Sequence, residues 1–248
     1  KGFKAVELSG GIYDKNQLKN LKKLLPNLSL QVHNYFPPPE DPFVLNLASN
    51  DQVIFKKSIS HIRKAIDFAI ELGRPIYSFH AGFLFDPIYS QLGKPIHKQT
   101  INNRAKTLEV FINRVKDLAE EYRESGVILF IENNVLSKRN FINFNCNPFL
   151  LVDSSECNYF MENMPENVKL LIDVAHLKVS SKTLNFCPEN MLKECEKWTY
   201  AYHLSENDGI TDSNSPVLYD SWFWPHIRKD LNFYVLEIYN ASEDELKK

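Results

Sequence analysis

Seven short apolar runs recur along the chain: KAVEL (4–8), LSLQVH (28–33), PIYSFH (75–80), VILFIE (127–132), VKLLID (168–173), YAYH (200–203) and FYVLE (233–237). Their last polar residues are Glu7, His33, His80, Glu132, Asp173, His203 and Glu237. Runs this short and this apolar are the signature of buried parallel strands. Amphipathic segments alternate with them. Residues 14–25 put Leu18, Leu21, Leu24 and Leu25 on one stripe. Residues 51–72 place Ile59, Ile62, Ile66 and Ile70 at helical spacing behind an Asn50–Asp51 start signal. Residues 101–124 repeat the pattern with Leu108, Phe111, Ile112, Val115, Leu118, Ala119 and Tyr122. Weaker helices fit 154–163, 189–197 and 220–230. Asp153 with Glu156, and Ser242 with Glu245, have capping-box spacing. Gly73 and Gly126 stand where helices must end before the next strand.

Strand–helix alternation from end to end, with no linker, predicts one α/β domain over residues 1–248. The fold expected is a (β/α)8 TIM barrel that lacks, within this sequence, its first strand and helix and most of its last helix. Eight strands close such a barrel, and seven are visible. The chain opens on KGF just before a strand and stops just after ASEDELKK. The missing strand predicts a gap between 4–8 and 233–237. A genuinely open seven-stranded barrel is the other reading.

In a parallel barrel all strand C-termini open onto one face, where active sites lie. A carboxylate or imidazole at a buried strand end costs free energy unless it meets a partner. Seven ligand-type residues converging on one rim therefore point to a metal site. The mixed carboxylate and imidazole donors suit Mn²⁺ or Zn²⁺.

Composition narrows the rest. At 248 residues with 44% hydrophobic content the chain can bury a large core. A net charge of −2 exerts no general pull on nucleic acid or anionic membrane. No apolar run is long enough to span a bilayer. Cys146, Cys157, Cys187 and Cys195 show no CxxC pairing and read as reduced thiols of a cytoplasmic protein. Ser221–Trp222–Phe223–Trp224 reads as core or as a contact between copies of the chain in a homo-oligomer.

The segments VHNYFPPPEDPFVLNLAS (32–49), SFHAG (78–82), FIENN (130–134), LIDVAHLK (171–178), HLSENDG (203–209) and LEIY (236–239), in this order and spacing, resemble the xylose isomerase-like TIM-barrel superfamily. That group includes sugar isomerases and epimerases and the endonuclease IV enzymes. The resemblance implies that Glu132, Asp173, His203 and Glu237 ligate a central divalent ion. It implies that His33 and His80, with the shared Glu132, correspond to a second ion site of endonuclease IV. His176 matches a residue that binds substrate in the epimerases and a third ion in the endonuclease. That third site also uses a D-x-H pair, where this chain reads Asp212-Ser213-Asn214.

Two reaction classes follow. The first is isomerisation or epimerisation of a sugar or sugar derivative, possibly phosphorylated, with Glu132 and Glu237 moving the proton through a metal-stabilised enediolate. His176, Asn134, Lys178 and Asp212 would contact the substrate. For Asn134 a turn-forming role competes, and for Lys178 a solvated surface role. The second is endonuclease IV-like hydrolysis of phosphodiesters. The loops 34–43 and 204–216 contain no Lys or Arg and carry several acids. A duplex binder needs basic contacts on that face, so a small carbohydrate is the expected partner and nucleic acid is not.

Overall fold

The computed structural model describes residues 3–91, 94, 96–239, 241, 242 and 244. All seven expected strands form: β1 (Ala5–Leu8), β2 (Ser29–His33), β3 (Ile76–His80), β4 (Ile128–Glu132), β5 (Val168–Asp173), β6 (Thr199–Leu204) and β7 (Tyr234–Leu236). They make one parallel sheet in sequential order β1-β2-β3-β4-β5-β6-β7, curled into a nearly closed barrel. Its helices run as α1 (Gln17–Lys22), α2 (Gln52–Glu71), α3 (Arg104–Glu121), α4 (Lys138–Phe144), α5 (Ser154–Glu162), α6 (Val174–Leu184) and α7 (Pro188–Glu194). Among the described residues no pairing joins β1 to β7, so the seam lies where the strand count put it.

Period-two alternation along each strand divides the core in two. Phe130, Leu171, Ala201 and Phe233, with Ile128 and Val235 against them, form the cluster inside the barrel. Leu129, Ile131, Leu170, Ile172 and Tyr202 point the other way, into the layer between strands and helices. Phe130, Leu171, Ala201 and Val235 each lie two residues before a predicted ligand. The same alternation that fills the barrel floor therefore turns Glu132, Asp173, His203 and Glu237 inward above it.

Helix ends follow local chemistry. The Asp51 carboxylate accepts from the Val53 and Ile54 N–H groups at the start of α2, and the Asp153 carboxylate accepts from Glu156 N–H at the start of α5. Gly73 adopts φ +77 where α2 ends, and Gly126 adopts φ +67 in the turn after α3, conformations that cost other residues energy. Inside α3, Leu108, Phe111, Ile112, Val115, Leu118 and Ala119 are buried as the spacing predicted.

Some expectations need correction, the first being the stripe over 14–25: α1 covers only Gln17–Lys22, and Leu24 beyond it is exposed. The segment 220–230 is a series of turns, not a helix, with Phe223 driven fully into the core. Ile70 is 37% exposed, because the buried face of α2 runs through Ile62, Ala65, Ile66 and Ala69 instead. Helices α4 and α6 were not anticipated. The Ser242–Glu245 capping box lies partly outside the described residues, since Glu245 is not among them. No described helix is long and apolar enough to cross a membrane.

Candidate metal centre

The ladder sets the site's geometry. His80 pairs with Glu132 across β3 and β4, and Asp173 pairs with His203 across β5 and β6. Glu237 follows β7 directly, its N–H donating to the Leu204 carbonyl. Glu132 is central and fully buried. Its Oε2 lies 3.5 Å from His33 Nε2 and 3.4 Å from His80 Nδ1. Its Oε1 lies 3.3 Å from His203 Nδ1. Glu237 Oε2 is 2.9 Å from that same nitrogen, and Asp173 Oδ2 is 4.0 Å from it. Ligand atoms of Glu132, Asp173, His203 and Glu237 all fall within 4.8 Å of one another. His33, His80 and Glu132 meet the same criterion, as do Glu7, His33 and His203.

The residues present fit a cation. Glu132 Oε1 and Oε2, Asp173 Oδ2, His203 Nδ1 and Nε2, and His80 Nδ1 are buried without a hydrogen-bond partner. Buried polar atoms in native proteins are nearly always paired, and a divalent ion would satisfy the orphans that face one another here, Glu132 Oε1, Asp173 Oδ2 and His203 Nδ1. Three carboxylates around one imidazole offer an oxygen-rich set without thiolate, suited to a hard or borderline ion. Asp173 divides its carboxylate between two tasks: Oδ1 accepts from the His176 N–H at 2.7 Å and caps α6, which leaves Oδ2 facing the cluster.

The carboxylates and imidazoles shift one another's protonation. Burial raises Asp173 to about 7, with His176 opposing and the Asp212, Glu237 and Glu132 charges adding to the rise. Burial would lower His203, but the Glu7 and Glu132 carboxylates outweigh it and hold the imidazole well above its ordinary value. Burial would raise Glu132 and Glu237. The surrounding imidazoles instead hold Glu132 well below the carboxylate range and bring Glu237 to about 2. His80 falls to about 4 through burial, with the Glu132 charge acting against the fall.

The structure brings together most of the residues singled out by sequence. His33 is held by a 2.9 Å contact between its Nδ1 and Ser78 Oγ. His176 donates from Nδ1 to the Asn133 carbonyl at 3.0 Å and turns Nε2 toward Asp212 Oδ2 at 3.1 Å. Burial would lower this imidazole, but Asp173 and Asp212 keep it well above its usual value. Asn214 is buried and donates its amide to the Glu237 carbonyl at 3.1 Å. It braces the rim and adds no metal ligand.

Two expected substrate contacts have partners within the protein. Asn134 donates its amide nitrogen to the Ala81, Gly82 and Leu150 carbonyls, which ties it to the scaffold. Lys178 is ion-paired with Glu206 at 2.5 Å, so its charge is already matched. Sequence reasoning missed the surroundings of the ligands. Glu7, which had no assigned role, lies 2.9 Å from His203 Nε2. The Tyr239 hydroxyl donates to Glu237 Oε1 at 2.8 Å. Asn133 staples β4 to β5 through the Asp173 N–H and carbonyl. A cleft of about 530 Å³ lined by Tyr13, Asp14, Arg63 and Lys64 lies against α1 and α2 and includes none of these ligand-type residues.

Comparison with known proteins agrees with this architecture. A D-tagatose 3-epimerase-like protein superposes with TM-score 0.67 at 17% identity, covering 100% of this chain and 86% of the other. A Thermus thermophilus protein from a ZnCl2-soaked crystal gives TM-score 0.65 at 20% identity, over 99% and 94%. The 3-keto-D-glucoside 4-epimerase of E. coli gives TM-score 0.64 at 11% identity, over 99% and 86%. At such identities these are likenesses of fold. No curated protein sequence matches the chain. The profile of one family, however, matches residues 1–233, nearly the whole chain and all of the ligand-type strand ends up to His203. The chain belongs to the xylose isomerase-like TIM barrel family.

Proposed function

We propose that this protein is a divalent-metal-dependent isomerase or epimerase of a sugar or sugar derivative. The observation that carries the reading is the convergence of ligand atoms of Glu132, Asp173, His203 and Glu237 at the barrel mouth, those of the first three including buried atoms without a hydrogen-bond partner. The fold-level likeness to proteins described as sugar 3- and 4-epimerases supports it. Zn²⁺ or Mn²⁺ fits the donor set.

A bound ion would supply Lewis acidity to neighbouring carbonyl and hydroxyl oxygens of the sugar. The chain's own residues do the rest. Glu132, with no exposed surface, and Glu237, 21% exposed at the mouth, are the two carboxylates assigned to proton transfer at the carbon beside the carbonyl. One removes the proton, the other returns it, and their roles exchange with direction. Tyr239 holds Glu237 Oε1 by a hydrogen bond while Oε2 faces His203. His176, its two ring nitrogens held by the Asn133 carbonyl and Asp212, sets a positive charge beside Asp173. The barrel floor of Phe130, Leu171, Ala201 and Phe233 keeps water out from below.

One observation favours a second reading, phosphodiester hydrolysis: His33, His80 and Glu132 could hold an additional ion. Against it stand the acidic loops and Asn214, which braces the Glu237 carbonyl in place of a third-site histidine. A paired assay separates the two. Metal-loaded protein is incubated in ²H₂O with a panel of ketoses, aldoses and their phosphates, and in parallel with abasic duplex DNA. Carbon-bound deuterium uptake without nicking is the expected result. Metal-dependent nicking with no exchange across the panel would overturn the proposal.

A further inference from the structure

Glu7 is the next-to-last residue of β1 and reaches His203 of β6 across the barrel interior. Its side chain is 7% exposed, and its Oε1 lies 2.9 Å from His203 Nε2. Its other oxygen, Oε2, accepts from Gln31 Nε2 at 3.2 Å. Gln31 is the residue opposite Glu7 in the β1–β2 ladder. The carboxylate is thus oriented by one neighbouring strand and aimed at an imidazole from another. We infer that Glu7 is a positioning residue for the metal centre: it accepts a hydrogen bond from the Nε2–H of His203 and so keeps the Nδ1 lone pair directed at the space between Glu132, Asp173 and Glu237. This inference rests on the metal-centre reading above.

The argument is one of tautomers. A neutral imidazole carries one N–H and one lone pair. His203 Nδ1 faces three carboxylates, and only a lone pair on that nitrogen can join them in binding a cation. The proton must then reside on Nε2, where a carboxylate stands ready to accept it. The opposite tautomer would set a lone pair against the Glu7 carboxylate, a repulsive pairing in a buried setting. The present contact lies off the ideal N–H line, since Nε2 has no partner of full hydrogen-bond geometry. Contacts of this kind commonly tighten into aligned hydrogen bonds when a site is loaded. Carboxylate partners on the second nitrogen of a ligating histidine are a recurrent device for fixing ring orientation and raising ligand basicity. A competing arrangement exists on the same residues, because Glu7, His33 and His203 could themselves hold an ion. In that case Nε2 would carry no proton.

The test uses the whole chain, stripped of metal and titrated with Zn²⁺ against a chromophoric chelator, for wild type, Glu7→Ala and Glu7→Gln. The expected result is one high-affinity ion in each, with affinity about 10–100-fold weaker in Glu7→Ala, the usual cost of losing such a partner. Glu7→Gln keeps an accepting oxygen at the same place and should recover part of that loss. In the zinc-loaded wild type an imidazole N–H proton should resonate far downfield and move upfield in Glu7→Ala, a change that loosened packing alone would not produce. Equal affinity in all three proteins with unmoved resonances would refute the positioning role. Loss of a second ion from Glu7→Ala, with the first unchanged, would also refute it, making Glu7 a ligand. Wild type that binds no ion would instead overturn the metal-centre reading itself, and this inference with it.

Discussion

Replacing Asn134 with Ala separates a scaffold role from a substrate-contact role. The Asn134 amide nitrogen lies 3.0, 3.1 and 2.9 Å from the carbonyl oxygens of Ala81, Gly82 and Leu150, and the side chain is 4% exposed. These carbonyls belong to the turn after β3 and to the segment leading to α5, so the amide ties two loops together behind the site. The Gly82 oxygen keeps a second donor, the Leu150 N–H at 3.0 Å. The substitution therefore orphans about two buried acceptors. At about 1–3 kcal/mol each, the expected loss is about 2–6 kcal/mol, a large part of a typical stability of about 5–15 kcal/mol. Urea unfolding followed by far-ultraviolet circular dichroism reads this as a lower midpoint at unchanged slope. Zinc affinity of the folded protein should stay within about threefold of wild type. A loss under about 1 kcal/mol, or a normal stability with impaired substrate binding, would refute the scaffold assignment.

Loading the metal-free protein with Zn²⁺ or Mn²⁺ at about 100 times the dissociation constant should stabilise it by about 2.7 kcal/mol. For a chain of this size that raises Tm by about 5–11 °C, and Glu132→Gln should show a much smaller gain in differential scanning fluorimetry. The gain should also widen with pH. His176 and His203 are raised in the folded state, so their contribution to the metal-free fold is present below about pH 6.5 and is lost as pH rises through their folded values. Asp173, raised to about 7, gives up its contribution between about pH 4 and 7. Metal binding instead needs these groups deprotonated and strengthens with pH, so an equal Tm gain at pH 6 and pH 8 would contradict the assignment. Tyr239→Phe removes the 2.8 Å hydrogen bond to Glu237 Oε1 from a residue that is 55% exposed. It should lower turnover by about tenfold or less with metal affinity nearly unchanged, measured on whichever sugar shows deuterium exchange.

The fold was legible because buried strands announce themselves through local composition, and all seven runs became strands. The quartet was legible for a related reason: a charged residue closing an apolar run is locally anomalous and needs a partner. What stayed hidden depends on contacts far apart in sequence. Glu7 meets His203 across the barrel interior, a meeting that no local spacing encodes. For Asn134 the sequence left a sugar contact and a turn-forming role open, and the carbonyls its amide serves come from segments distant in sequence. Helix α6 begins directly on Asp173, which ends β5 and caps the helix with one carboxylate oxygen. With no turn residues between strand and helix, the usual punctuation was missing. The segment 220–230 read as a weak helix, but burial of Phe223 and the hydrogen bond from Trp224 Nε1 to the Leu218 carbonyl go with a run of turns there.

The most direct test of the metal centre is anomalous diffraction from a crystal grown with Zn²⁺ or Mn²⁺, recorded on both sides of the metal's absorption edge. The account predicts a strong peak at the barrel mouth with oxygens of Glu132, Asp173 and Glu237 and Nδ1 of His203 about 2.0–2.3 Å away. A crystal that binds the ion elsewhere, or shows these four side chains unliganded at saturating metal, would contradict it.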